Sequence, residues 1–292
     1  MKRKWTLASL CAVILCCTIP FPSARACTIW AATGDKVTDK GSIIAKNRDN
    51  LSHLYTTMRF VSPENGIAFF GIFDVEADGY VTAGVNAKGF VVVNASANSV
   101  PRKKRHTATE DLTERLLTSF GSVGEVLADK NLFRKSHPAI YIIGDSSTIA
   151  SVEVAPGGRT CVTTEINGTL AFTNHYTCKR LLKANERLSR SSFLRLQRIN
   201  HLLSANAASF TAADFIAFSN DKDGGSDGAL WKAQDVSGRI RTLAGWVVRL
   251  PPKGAPEVHV KLANTDEPER TETFTLDDTF WGRKKNAGYP NR

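Results

Sequence analysis

Cys27 directly follows Ala24-Arg25-Ala26. A cut between Ala26 and Cys27 frees an α-amine, a group whose unperturbed pKa is about 7.7–8.0. Near neutral pH part of it is unprotonated. It accepts the thiol proton directly or through water, so one residue supplies both nucleophile and base. The thiolate then attacks an amide carbonyl and forms a thioester. Water or another acceptor releases the acyl group. This chemistry needs a polar partner for the amine, donors for an oxyanion and a group that orients the thiol. In chain order the polar candidates are Lys46, Arg48, Asp49, Asn94, Asn174, His175 and Arg195. Each has a plainer use: Asp49 as a turn cap, the two asparagines at strand ends, His175 in a core or rim, Arg195 on a wet helix face.

Everything before Cys27 has the pattern of a secretory signal. Lys2, Arg3 and Lys4 precede a mostly apolar run, Leu7 to Ile19, and an A-x-A site closes the segment. The run is short for a transmembrane helix, which needs about 20 apolar residues. Residues 1–26 are expected to be removed, leaving a secreted or periplasmic protein of residues 27–292. Removal takes away Lys2, Arg3, Lys4 and Arg25 and no acid, so the net charge of +10 becomes +6. That mild excess calls for no nucleic acid, and no later stretch is apolar enough for stable membrane insertion. Of the six cysteines, Cys27, Cys161 and Cys178 remain. An odd count in an exported protein points to one pair, Cys161–Cys178, and one free thiol, Cys27. Three unpaired thiols are the alternative.

The elements that must position these groups are mostly strands. Cys27 to Ala32 and Gly41 to Asp49 read as a hairpin that returns Asp49 towards Cys27. Tyr55 to Val61, Gly66 to Val75, Tyr80 to Ala83 and Phe90 to Asn94 follow, with a turn-rich link over Gly84 to Gly89. Pro101 to His106 (PRKKRH) reads as a solvated loop or as a patch for an anionic group. Thr109 caps an expected helix carrying Leu112, Leu116 and Leu117, and Val123 to Leu132 is a second. Ala139 to Gly144 and Thr148 to Val154 are strands. Cys161 to Ile166 and Thr169 to Asn174 flank Asn167-Gly168, which predicts a two-residue hairpin. That register would set Cys161 opposite Asn174, so the disulfide requires a bend after Asn174. Lys179 to Leu203 is helix-prone, broken near Ser189 to Ser192. Thr211 caps Ala212 to Phe218. Asn220 to Gly228 is a loop without the spacing of a calcium site. Ile240 to Leu250 and Glu257 to Leu262 are late strands, and a polar tail begins near Gly282. The pattern is one α+β domain of layered sheets.

Cys27-Thr28, Ile44 to Asp49 (IAKNRD), Gly84 to Gly89 (GVNAKG) and Thr173 to Tyr176 (TNHY) come in an order that resembles the N-terminal-nucleophile hydrolases. The resemblance is nearest to the linear-amide hydrolases of the acyl-coenzyme A:6-aminopenicillanic acid acyltransferase type, with choloylglycine hydrolases and penicillin V acylases as cousins. It covers most of residues 27–265. It implies a four-layer αββα sandwich. Cys27 matches the nucleophile and Asp49 the aspartate that holds the N-terminal amine. Lys46 sits where relatives carry an arginine next to the thiol, and Arg48, two residues on, is the other candidate. Asn94 falls near one asparagine of the oxyanion hole and Asn174 matches the second donor. Arg195 looks like the distal arginine, with Arg198 as its fallback.

The expected activity is hydrolysis of a linear C–N amide bond in a small N-acyl amide, with neither cofactor nor metal. Acyl transfer to an amine is a close variant. A lipoprotein with lipid on Cys27 is a reading of another class, although Arg25 and Ala24 fit lipoprotein processing poorly.

Overall fold

The computed structural model describes residues 26–75, 79–105, 112–205, 209–234 and 238–286. The signal segment lies outside them apart from Ala26, as do Thr109 and the last six residues of the expected tail. The strands are β1 (Thr28–Thr33), β2 (Ser42–Leu51), β3 (Thr56–Val61), β4 (Phe69–Asp74), β5 (Tyr80–Asn86), β6 (Val91–Ser96), β7 (Ala139–Gly144), β8 (Ile149–Ala155), β9 (Arg159–Glu165), β10 (Gly168–Phe172), β11 (Ile240–Leu250), β12 (Glu257–Leu262) and β13 (Arg270–Thr275). The helices are α1 (Arg102–Arg105), α2 (Leu112–Ser119), α3 (Val123–Ala128), α4 (Arg190–Ala205), α5 (Ala212–Ser219), α6 (Gly225–Gly228) and α7 (Asp278–Asn286).

Two antiparallel sheets carry the fold. One has the order β10-β1-β2-β11-β12-β13 and the other runs β3 to β9 in sequence order. Side chains alternate between the faces of a strand, and here both faces are apolar. Ile29, Ala31 and Ile44 of the first sheet meet Val91, Val93, Ile140 and Ile142 of the second in the central core. Trp30, Ala32, Ile43 and Ala45 point the other way, onto Ile199 and Leu203 of α4 and Phe215 of α5. On the far side, Val92 and Tyr141 pack under Leu112, Leu116 and Leu117 of α2. Three cores between four layers make an αββα sandwich. Each fully buried Ile, Val or Leu contributes roughly 1.5–3 kcal/mol, so strands buried on both faces anchor the molecule.

The hairpin expected at Asn167-Gly168 does not form. β9 is an edge strand of the seven-stranded sheet and β10 an edge strand of the other, so this turn carries the chain between layers. Asn167 is held by the link after β1: the Asp35 N–H donates to its Oδ1 at 2.9 Å, and its Nδ2 donates to Asp35 Oδ2 at 3.1 Å. Gly34 (φ +67°) permits this approach, because a Cβ there would lie 2.4 Å from the Ile166 carbonyl oxygen. With β9 and β10 in different sheets, Cys161 does not oppose Asn174, and it is joined to Cys178 in a disulfide. The bridge ties the edge of one sheet to the segment that leaves β10.

Other boundaries shift for identifiable reasons. β5 continues through Gly84-Val85-Asn86, because β4 and β6 pair with it there. The helix expected from Lys179 begins at Arg190, after a 3-10 turn at Leu182–Ala184. The PRKKRH stretch contains one helical turn, α1. Thr211 does cap α5, through a reciprocal pair of bonds with Asp214. The tail expected from Gly282 is helical as far as Asn286, in α7, where Phe280 and Trp281 pack onto Phe60.

Candidate active site

β1 starts at the edge of the central core, and its pairing with β2 brings the first candidates together. Thr28 opposes Asn47 and Ile29 opposes Lys46. Alternation sends Cys27, Lys46 and Arg48 to the inter-sheet face and Asn47 and Asp49 to the helix-covered face. Cys27 is buried and is the free cysteine of the described residues.

Two side chains hold its backbone. The Cys27 N–H donates to Asn174 Oδ1 at 3.0 Å. Arg195, fully buried on α4, donates at 2.6 Å to the Cys27 carbonyl oxygen, at 2.6 Å to Thr28 Oγ1 and at 2.8 Å to Asn174 Oδ1. Asn174 reaches this point because the Asn174 N–H donates to Ser192 Oγ at 3.0 Å and its Nδ2 to the Ser96 carbonyl at 2.9 Å. Strand β6, the end of β10 and the start of α4 therefore meet over Cys27. Burial lowers the pKa of Arg195, and the charges of Asp49, the Cys27 thiol and Asp227 oppose that. Arg198 is elsewhere, paired with Asp221 and Asp223.

The two basic residues of β2 have different jobs. Lys46 Nζ donates across the central core to the carbonyls of Thr82 (2.8 Å) and Asn94 (2.7 Å) and to Asn94 Oδ1 (3.0 Å). It links the sheets. Arg48 lies close enough to Cys27 for its charge to interact with the thiol, and it forms a buried ion pair with Asp74. Burial disfavours its charge, yet Tyr80, Asp74 and Cys27 outweigh this and hold its pKa above the ordinary value.

Asp49 is fully buried. Thr242 Oγ1 donates to its Oδ1 at 2.7 Å, and Oδ2 has no hydrogen-bond partner. Burial raises its pKa, opposed by Arg195, Lys232, the Thr242 bond and Arg48. The Asn94 side chain is committed on both ends, to Lys46 and, through Nδ2, to Thr113 Oγ1 of α2 at 2.7 Å. His175 Nδ1 lies 2.7 Å from Ser192 Oγ and 3.2 Å from Thr173 Oγ1. Burial, and then Arg195, push its pKa down, and the ring braces α4 through Ser192.

Asp74, Ser192 and Lys232 enter the site without having been singled out in the sequence. Lys232 Nζ donates to Ser191 Oγ at 2.6 Å, and that hydroxyl also takes a bond from Arg195 Nε at 3.4 Å. Asp74 carries a faint signal, as an acid closing the apolar strand FFGIFD. A serine and a lysine in ordinary contexts carry none. Of the described residues, Glu153, Cys161 and Cys178 cluster tightly enough for a metal, but the two sulfurs are bonded to each other and offer no thiolate.

A sandwich of two antiparallel sheets between helices, with the cysteine just before its first strand held by a buried arginine and asparagine, is the arrangement of the N-terminal-nucleophile hydrolase class. Residues 37–266 match the model of the acyl-coenzyme A:6-aminopenicillanic acid acyl-transferase family, and the chain belongs to that family. The matched stretch includes Asp49, Asn174 and Arg195. A search of curated proteins found no match. Among solved structures, a mutant of conjugated bile acid hydrolase from Clostridium perfringens superposes with a TM-score of 0.56 at 14% identity, covering 85% of this chain and 92% of that one. Penicillin V acylase from Agrobacterium tumefaciens gives 0.52 at 16% identity, covering 86% and 88%. These similarities show a shared fold.

Proposed function

We propose that the protein is an exported amidase that cleaves a linear C–N amide bond in a small N-acyl amide, with Cys27 as an N-terminal nucleophile. The observation that carries this reading is the convergence of Arg195 and Asn174 on Cys27, the free thiol, with Arg48 beside its sulfur. Removal of residues 1–26 would release the base where it is needed. Asp49 Oδ2, buried and unpaired, is the acceptor assigned to that amine.

The amine takes the thiol proton, and the sulfur attacks the carbonyl carbon to form a C–S bond. The C–N bond breaks as the leaving amine collects the proton from the α-ammonium. Water then gives a proton to the α-amine and its oxygen to the acyl carbon. The C–S bond breaks, the acid departs and the thiol is restored. Asn174 and Asn94 are the donors assigned to the oxyanion. Each amide nitrogen carries two hydrogens and gives one of them to Ser96 or Thr113, which leaves the second for an oxyanion. The neighbours' names, a bile acid hydrolase and a penicillin V acylase, support a small-molecule acyl group.

The family description favours a second reading, in which an amine replaces water as acceptor. The test uses a panel of N-acyl amides with three proteins: the chain starting at Cys27, its Cys27→Ala variant, and a form with one extra residue before Cys27. Loss of hydrolysis in both variants, and an acyl adduct on Cys27 by intact mass, support the proposal. Undiminished hydrolysis in both, or lipid on the Cys27 sulfur, overturns it.

A further inference from the structure

Two segments that hold Asn174 in place also form an unusual surface. The first is α1 with the turn before it, and the second runs from Lys179 to Arg190. They are tied together: the N–H groups of Glu186 and Arg187 both donate to the Ser99 carbonyl at 2.9 Å, and Lys104 pairs with Glu186 at 2.5 Å. They are tied to the site as well, because the Ser99 N–H donates to the Asn174 carbonyl at 3.1 Å. The surface is therefore joined to the segment whose Asn174 side chain holds Cys27.

Arg102, Lys103, Lys179, Lys183 and Arg187 are all exposed, and none has an acidic partner among the described residues. Glu186, the acid of the second segment, is taken by Lys104. Large apolar side chains project between these charges: Leu182 is 47% exposed, Leu188 54% and Phe193 45%. A solvated face needs no such leucines. A surface for a soluble polyanion needs the charges alone, and a protein interface core is depleted in lysine. Unpaired cations interleaved with exposed leucine and phenylalanine match one partner, a bilayer with anionic headgroups. There the cations meet phosphate and the apolar side chains reach the headgroup–acyl boundary. Among the described residues no helix is long and apolar enough to cross a membrane, so the contact would be peripheral.

We infer that the surface formed by α1 and residues 179–193 docks the protein on anionic membrane surfaces. Docking itself does not depend on the amidase reading. If that reading also holds, docking favours acyl amides that partition into the bilayer.

Vesicle binding is measured by co-sedimentation with the chain starting at Cys27, using phosphatidylcholine vesicles with and without phosphatidylglycerol. Binding at least ten-fold tighter to the anionic vesicles is expected. The triple variant Lys103→Gln, Lys179→Gln, Lys183→Gln should bind up to about 100-fold more weakly, at roughly five-fold per lysine. The pair Leu182→Ser, Leu188→Ser should weaken binding by at least about five-fold. Unchanged melting temperatures establish that both variants are folded. Equal or absent binding to both vesicle types, retention on heparin without vesicle binding, or an unchanged affinity in either variant overturns the assignment. Cys27→Ala should bind as the parent does, so failure of the amidase reading and failure of docking are separate results.

Discussion

Arg195 and Cys27 are 168 positions apart in the chain, and the guanidinium of one donates to the carbonyl oxygen of the other at 2.6 Å. The same guanidinium holds Asn174 Oδ1, which in turn accepts from the Cys27 N–H. Both backbone polar groups of the nucleophile are thus pinned by one buried charge and the amide it orients. Charge-assisted bonds of this kind are short and strong, and they fix the residue from which a thiol must approach a carbonyl.

Arg195→Met removes the guanidinium's bonds to Cys27, Thr28 and Asn174 and leaves the Cys27 carbonyl buried without that donor. Amide hydrolysis is expected to fall at least 100-fold through misplacement of the nucleophile, with a stability loss of about 2–4 kcal/mol. Steady-state kinetics and urea unfolding measure the two effects. Arg198→Met, whose partners are surface acids, should leave activity within about two-fold.

Arg48 and Lys46 are separated by one experiment. Arg48 interacts with the thiol, and Lys46 is engaged with the carbonyls of Thr82 and Asn94. Arg48→Met, combined with Asp74→Asn to avoid stranding a buried carboxylate, should slow alkylation of Cys27 by iodoacetamide about ten-fold, because the sulfur loses the side chain that orients it. Lys46→Met should lower the urea midpoint, since buried carbonyls of Thr82 and Asn94 lose a donor at about 1–3 kcal/mol each. Alkylation of its folded fraction should change less than about three-fold. The opposite pattern would reassign the thiol-orienting role to Lys46.

His175 makes stability depend on pH. Burial and Arg195 place its folded-state pKa below the ordinary 6.5. Between that lowered value and 6.5 the unfolded chain binds more protons than the folded one, so stability rises with pH across this window. It is fully present above 6.5 and is lost as pH falls. Urea unfolding from pH 8 to pH 5 should show the loss, and His175→Gln should reduce its slope. An identical slope in the variant would remove His175 from the account.

The Cys161–Cys178 disulfide closes a loop with a sequence separation of 17, and a loop of this size contributes about 3 kcal/mol. Cys161→Ser with Cys178→Ser should lower the melting temperature by about 6–12 °C. Asn174 lies four residues before Cys178, so activity at 25 °C should also fall. Glu153 limits that fall, because it accepts from the Thr177 and Cys178 N–H groups at 2.7 and 3.1 Å. Activity lost in full while the fold persists would make the bridge the main support of Asn174.

Much of this protein is legible in its sequence. Most strands, the cap of α5 and the odd free thiol follow from alternation, local hydrogen bonding and cysteine count, which are properties of neighbouring residues. The motif order in the chain pointed to the family that the matched stretch from 37 to 266 now shows. The tertiary structure decided what neighbours cannot. It set Arg195 against Cys27 and Arg198 against Asp221 and Asp223, because helix face determines which of two similar cations is buried. It turned Asn167-Gly168 from a hairpin into a crossing between sheets, because a two-residue turn carries no information about which sheet its second strand will join. It also recruited Asp74, Ser192 and Lys232, ordinary residues locally, whose roles exist only once strands and helices far apart in sequence close around Cys27.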